Sequence, residues 1–417
     1  MPSQASSIAA GVIAGTLGVP VALYLTFIAL SGIPYFQRHF LYAHKVHSLW
    51  FYDPDEPEYY GFAKNQVTPF SLSTEDGQSL YAWHVLPLPL YAQHEERVVA
   101  QASGFCNDIT QTENFKILKA DPVARLVIYL HGNAGHVAQA FRPASYHSLT
   151  ETSSYHVLAI DYRGFGHSSG SPTEQGLILD ATAAVRWAMD AAGVRPDRIV
   201  LLGQSLGTAV ASGVTEYFAR EEGVDFAGVI LVSGFSSLPA MLSGYAIAGL
   251  VPILAPFKAW PWLLKQLMRR VVDKWASTDR LRETVRAVKA RGGRLRLHLV
   301  HAVNDKDIPC HEDDKLFAAA VNGTVGVGEP KMDDERLAAE KSARTVVRGK
   351  SAFVATWTDG DLVFRQELVP YGGKLIPWFQ SQEKQRLTSL GHNDIMCMAP
   401  VALAVMRCFD LVEKPRA

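Results

Sequence analysis

The run LLGQSLGTAV (201–210) sets Ser205 between Gly203 and Gly207, each two positions away. A serine hydroxyl is a weak nucleophile at neutral pH; it attacks an ester carbonyl when a base takes its proton and a carboxylate supports that base. Gly-x-Ser-x-Gly suits such a serine where a buried strand turns abruptly into a helix, because small neighbours let the chain pass closely and leave the hydroxyl clear of the sheet. The same five residues also occur around an ordinary serine in a tight turn, so the partners decide. HAVNDKDIP (301–309) carries Asp305, with Asp307 as a competing carboxylate, and LGH (390–392) carries His392. His311 is the only other histidine after the two acids. An oxyanion site needs two backbone N–H donors. The start of the helix after Ser205 supplies Leu206, and the glycine-rich LHGNAGH (130–136) supplies Asn133.

These residues require a scaffold that brings strand ends together, and the pattern provides one. From Gln66, VTPFSLST and SLYAWHVLPL flank the turn Glu75–Asp76–Gly77 and read as an antiparallel hairpin. Short apolar runs follow at 125–131, 155–161, 198–204, 227–233 and 296–302, most of them separated by helical stretches such as 173–192 and 208–220. Buried runs alternating with helices predict an α/β fold with a mostly parallel central sheet covered on both faces. Ser205 then sits at a strand-to-helix turn, Asp305 in the loop at the C-terminal end of a strand, and His392 in a loop ahead of the last helix, where sites of open α/β sheets gather.

Two segments interrupt the alternation. The first, 238–275, is unusually apolar and aromatic and reads either as packed covering helices or as a lid over a lipid site, within a cap extending to 285. The second, 322–385, opens with the charged DDERLAAEKSAR and continues as a hairpin around Asp359 and Gly360; it has no evident functional role.

The N-terminus is different in kind. The first 37 residues carry no charged side chain, and residues 8–30 form a mostly apolar run that as a helix would reach about 35 Å, enough to cross a bilayer. The aromatic and basic residues after it, from Tyr35 to Tyr52, suit the headgroup region. The expected organisation is a single-pass anchor at 1–34, a juxtamembrane segment at 35–65 and a catalytic domain at 66–417. With no basic segment ahead of the apolar run, a cleavable signal peptide is disfavoured.

Composition narrows the function classes. Forty basic residues stand against 41 acidic ones, so no net field marks out nucleic acid. Cys106, Cys310, Cys397 and Cys408 show no metal or disulfide spacing, and neither a dinucleotide fingerprint nor a P-loop is present, so no cofactor and no metal is expected.

Taken in chain order, LHGNAG, AIDYRGFGHSSGSPTEQG (159–176), GQSLG, HAVNDKDIP and LGH resemble the α/β-hydrolase superfamily, specifically its membrane-anchored lipases of the monoacylglycerol and lysophosphatidylserine lipase group and their fungal relatives. The likeness spans about residues 66–320 and 386–412. It implies Ser205 as nucleophile, Asp305 as acid and His392 as base, a lipid ester as substrate, and the endoplasmic reticulum membrane as location. In DYRGFG, Asp161 and Arg163 are expected to brace the site. Two alternatives stand beside this reading: a thioesterase that removes palmitate from protein cysteines with the same machinery, and a non-enzymatic one, a catalytically silent hydrolase serving as a scaffold or binding protein. The side of the membrane stays open, since Arg38 and Lys45 favour a cytosolic domain while the sequon Asn322–Gly323–Thr324 and the resemblance favour a lumenal one.

Overall fold

The computed structural model describes residues 18–49, 52–244, 246–247, 251–252, 254–326, 332–370 and 390–413. Its main sheet is built from β1 Val67–Ser73, β2 Ser79–Val85, β3 Arg125–Leu130, β4 Tyr155–Ile160, β5 Ile199–Gln204 and β6 Gly228–Val232. A two-stranded ribbon, β7 Ala246–Ile247 with β8 Val251–Pro252, lies in the cap segment; the main sheet resumes with β9 Leu295–Ala302, β10 Thr345–Gly349, β11 Ala352–Asp359 and β12 Leu362–Val369. The strand order is β1-β2-β4-β3-β5-β6-β9-β12-β11-β10. The stretch from β4 to β12 is parallel, and the hairpins at the two ends are antiparallel.

Side chains alternate across a strand, so a buried parallel strand must be apolar on both faces. Leu126, Ile128 and Leu130 of β3 share one core with Leu201 and Leu231 and with the helices Glu174–Arg186, Leu206–Tyr217, Ser277–Ala290 and Glu312–Gly323. Val127 and Tyr129 face the opposite core, closed by the helices Arg142–Thr150 and Ala399–Glu413 through Tyr146, Leu149, Val401 and Val405. The expected mostly parallel, doubly covered sheet is therefore observed.

The described part of the 322–385 segment contains the expected hairpin around Asp359 and Gly360, and its strands join the main sheet. Its last strand, β12, pairs in parallel with β9, Leu362 opposite Leu295 and Val369 opposite Ala302, so it belongs to the central sheet, while β11 and β10 extend that sheet to an exposed edge. The alternation in LVFRQELV announces a half-buried strand, but periodicity carries no information about the partner.

At the N-terminus, the described part of the apolar run forms the helix Val19–Ser31; residues 8–17 lie outside the described residues. Pro34 disfavours helical backbone at the residue before it. Ile33 is accordingly extended at φ −97°, ψ 124°, and a second helix, Pro34–Tyr42, leaves at 104° to the first. Among the described residues no single helix is long and apolar enough to cross a membrane; this bent pair is, by length and composition. Within 35–65, expected as a juxtamembrane segment, described residues pack on the body: Gln37, Tyr42 and His44 are buried.

Candidate active site

β5 ends at Gln204 and the helix Leu206–Tyr217 begins one residue later, leaving Ser205 alone to make the turn. Its backbone takes φ 53°, ψ −118°, a region costly for a residue with a Cβ. Hydrogen bonds hold it there: Ser205 N–H donates to Val232 O at 3.0 Å, and Thr208 donates to Ser205 O from N–H at 2.9 Å and from its hydroxyl at 2.6 Å. The two flanking glycines are needed for close approach. A Cβ on Gly207 would lie 1.9 Å from Leu130 O, and one on Gly203 would lie 2.3 Å from Gly207 O.

Asp305 follows β9, and its carboxylate accepts three hydrogen bonds and pairs with a second histidine. His392 Nδ1 lies 2.7 Å from Oδ2, the N–H groups of Asp307 and Ile308 each donate to Oδ1 at 2.9 Å, and His301 Nε2 lies 3.2 Å from Oδ2. Burial opposes ionisation of this carboxyl, but His392 and His301 outweigh it and hold its pKa well below the usual carboxylate range. The same pairing raises His392: burial lowers its pKa, and the Asp305 charge more than compensates. Asp307, the rival carboxylate, supplies its backbone N–H to Asp305, and burial pushes its own carboxyl up. His392 stands in the short helix Leu390–Asn393 where its sequence suggests a loop, and Gly391 lets that helix touch the Asp305 loop, since a Cβ there would meet Asn304 O at 2.5 Å and Asp305 N at 2.7 Å.

The loop after β3 forms the facing wall. Arg142, buried, turns its guanidinium onto the carbonyls of Gly132, Asn133, Ala134 and His136 at 2.7–3.3 Å. With those carbonyls engaged on one side, the loop N–H groups are left for other partners: Ala134 donates to Tyr42 O and Gly135 to Val46 O. The Asn133 and Leu206 backbone N–H groups have no partner among the described residues. Asp161 Oδ1 accepts from Val137 N–H at 2.7 Å, and Arg163 bridges the buried Asp180 to Asp76 in the β1–β2 turn, so both acidic and basic members of DYRGFG brace rather than line the cleft.

Ser205, Leu206, Asn133, Asp307 and His392 all line one cleft of about 330 Å³, bounded by Phe40, Leu41, Phe141, Phe235 and Leu242. Ser205 and His392 are not hydrogen-bonded to each other here; such contacts commonly tighten only with substrate present. The residues that sequence reasoning missed are those that position. Arg142 carries no motif. Gln204 reaches the His392 loop through Nε2, at 3.4 Å from His392 O and 3.3 Å from Asn393 Oδ1. His301 lies between Asp305 and Asp313, Nδ1 3.0 Å from Asp313 Oδ1; burial opposes its charge, but the two carboxylates hold its pKa well above the ordinary value. Among the described residues no group of three or more His, Cys, Asp or Glu side chains is arranged to hold a metal.

Comparison with known proteins bears on this arrangement. The model of a family described as "Alpha/beta hydrolase family" matches residues 127–367, a stretch that contains Ser205 and Asp305 and stops before His392. The chain is 31% identical over 254 residues to human "Protein ABHD12B", covering 61% of this chain and 62% of that protein, so the match spans less than two thirds of that relative. It is 28% identical over 302 residues to "Lysophosphatidylserine lipase ABHD12" of Xenopus tropicalis, covering 72% and 70%. A solved α/β hydrolase from Vibrio vulnificus superposes with a TM-score of 0.49 at 16% identity, covering 69% of this chain and 82% of that one.

Proposed function

Because the chain belongs to the α/β-hydrolase family, we propose that it is a membrane-bound serine hydrolase that cleaves the carboxylic ester of a single-chain lipid, a monoacylglycerol or a lysophospholipid. The observation that carries this reading is the buried His392–Asp305 pair at 2.7 Å facing the same cleft as a serine held at positive φ.

The mechanism follows from the geometry. Ser205 Oγ attacks the ester carbonyl while His392 Nε2 takes its proton; Nδ1, bonded to Asp305, stays protonated, and the carboxylate stabilises the imidazolium. The carbonyl oxygen, now anionic, accepts from the Leu206 and Asn133 N–H groups, each worth roughly 3 kcal/mol in the transition state. Collapse breaks the ester bond and the alcohol leaves with the proton from His392. Water then gives a proton to His392, attacks the acyl-enzyme, and collapse returns that proton to Ser205 Oγ as the fatty acid departs.

The lipid class is supported by the name of the Xenopus relative and by the apolar surroundings of the cleft. Each methylene removed from water contributes about 0.8 kcal/mol, so a long chain gains what a short ester cannot. Membrane attachment is supported by the exposed Val19, Val21, Leu23 and Leu25 on the first helix and by Trp260 and Trp262 on the cap. The location we infer is the endoplasmic reticulum, through a single N-terminal pass. The sequon gives little help with the side of the membrane: Asn322 Oδ1 accepts from Met332 N–H, and the buried Thr324 hydroxyl is bonded to Val321 O.

The test is fluorophosphonate labelling and hydrolysis of monoacyl esters of four to eighteen carbons by the full-length protein, beside Ser205→Ala. Expected are labelling of the wild type alone and kcat/KM rising with chain length. Labelling that survives Ser205→Ala removes the nucleophile, a flat or falling chain profile leaves a general esterase, and faster turnover of a palmitoyl-cysteine peptide favours the thioesterase.

A further inference from the structure

A second cavity, of about 340 Å³, adjoins the Ser205 cleft and shares Phe40, Leu41, Asn133 and Leu242 with it as a common wall. Such a volume is in the range of ligand pockets, roughly 300–1,000 Å³. One side is the end of the first N-terminal helix, Phe27, Ile28 and Gly32; the other is the cap, Leu254, Leu267 and Met268. We infer that this cavity is the acyl-chain channel of the ester bound at Ser205, so that the N-terminal helix serves as a wall of the substrate site as well as an anchor.

Three observations carry the assignment, which rests on the hydrolase reading above. First, Ser31, Gln37 and Asn133, the uncharged polar side chains on the wall, already spend their donors within the protein. Ser31 Oγ donates to Phe27 O at 2.8 Å; Gln37 Nε2 donates to Ser31 O at 2.8 Å and to Arg270 O at 3.2 Å, and its Oε1 accepts from Val272 N–H at 2.7 Å; Asn133 Nδ2 donates to Leu41 O at 2.6 Å. A glycerol or sugar head would lose hydrogen bonds to water there without replacement, whereas an alkyl chain loses none. Arg270, the charged residue on the wall, is exposed.

Second, the wall is fixed at both of its margins. Gln37 ties the helix elbow to the segment returning from the cap, Tyr42 Oη donates to Asp273 at 2.7 Å, and Trp275 Nε1 donates to Tyr42 Oη at 3.2 Å. The loop after β3 is bound to the same segment through Asn133, Ala134 and Gly135. The helix therefore holds a set position relative to the site. Third, the part of that helix remote from the cavity exposes Val19, Val21, Leu23 and Leu25, which at 3.6 residues per turn surround it on opposite sides. With this part in hydrocarbon, a chain passing from the bilayer to Ser205 remains in apolar surroundings. Of the apolar and aromatic 238–275 segment, Leu254, Leu267 and Met268 line the cavity, while Trp260 and Trp262 are exposed.

The test uses full-length protein in detergent micelles, with Ile28→Trp and Leu267→Trp filling the cavity from opposite sides and Val21→Trp altering an exposed position of the same helix outside the cavity. The readout is the ratio of kcat/KM for a sixteen-carbon to that for a four-carbon monoacyl ester. Both cavity variants are expected to lower it at least tenfold, and Val21→Trp to retain it. An unchanged ratio in the cavity variants, or an equal fall with Val21→Trp, overturns the channel. Should the cavity variants fail to fold, a sixteen-carbon fluorophosphonate bearing a terminal diazirine, reacted with wild type and irradiated, should crosslink within 27–41 and 254–271; crosslinks confined elsewhere also overturn it. Absence of any Ser205 adduct would instead defeat the hydrolase reading, so the two failures are distinguishable.

Discussion

Ser205, Asp305 and His392 stand 100 and 87 residues apart along the chain, and the tertiary contact that matters most is between the last two. Its consequence is a pH dependence. His392 must be neutral to accept the serine proton, and its pKa is raised by the Asp305 carboxylate. The acid limb of kcat/KM should therefore have its midpoint above the ordinary histidine value of about 6.5, activity falling as pH drops through it. Asp305→Asn should reduce turnover by about 10⁴-fold and move the residual acid limb downward. Asp307→Asn should change turnover by less than about tenfold, because that side chain does not touch His392 in this arrangement; reversed severities in a pH–rate series would move the acid to Asp307. The sequence places both carboxylates in the right loop. It does not rank them by contact, since two residues of spacing in a loop do not say which oxygen faces a histidine from another loop.

At the scale of elements, the strand-to-helix turn was legible because its constraint is local: Gly203 and Gly207 are required by backbone a few ångströms away. The brace beneath it was legible only in part. DYRGFG suggested support, but Arg163 acts through Asp180 and Asp76, one on a helix and one in a hairpin turn. Arg163 and Asp180 are both buried, so Arg163→Ala leaves an uncompensated carboxylate inside the protein. A loss of about 3–5 kcal/mol is expected, measured from the denaturant midpoint at fixed m-value. A loss below about 1 kcal/mol would show that Asp180 finds another partner or takes up a proton. Burial already pushes the Asp180 carboxyl up to about 6 despite Arg163, so the cost of removing the arginine should be smaller below that pH, where the acid is neutral.

For the molecule as a whole, the N-terminal segment is at once the most apolar part of the chain and part of the catalytic body. Deleting residues 1–34 removes the first helix but keeps Phe40 and Leu41, which line the site, and Gln37 and Tyr42, which tie their helix to the cap segment. The shortened protein should still hydrolyse four-carbon esters, should partition poorly to membranes, and should lose its preference for long chains. Carbonate extraction checks the second point. Full release of the intact, uncleaved chain would contradict an integral anchor, and an undiminished chain-length preference in the deletion would contradict the channel.

The sequence by itself determined the α/β scaffold and the candidates for the reacting groups, because both are written in short-range terms: alternation of apolar runs, small residues about one serine, and two acids and a histidine at strand-end stations. Only the tertiary structure decided which groups meet. It chose Asp305 for His392, put Arg142, Gln204 and His301 behind the reacting atoms, drew β12 into the sheet beside β9, and folded the N-terminal helices against the cap. Each of these depends on contacts between distant parts of the chain. Local patterning fixes a segment's form and its apolar face, while the neighbour that covers that face is set by packing the whole chain at once.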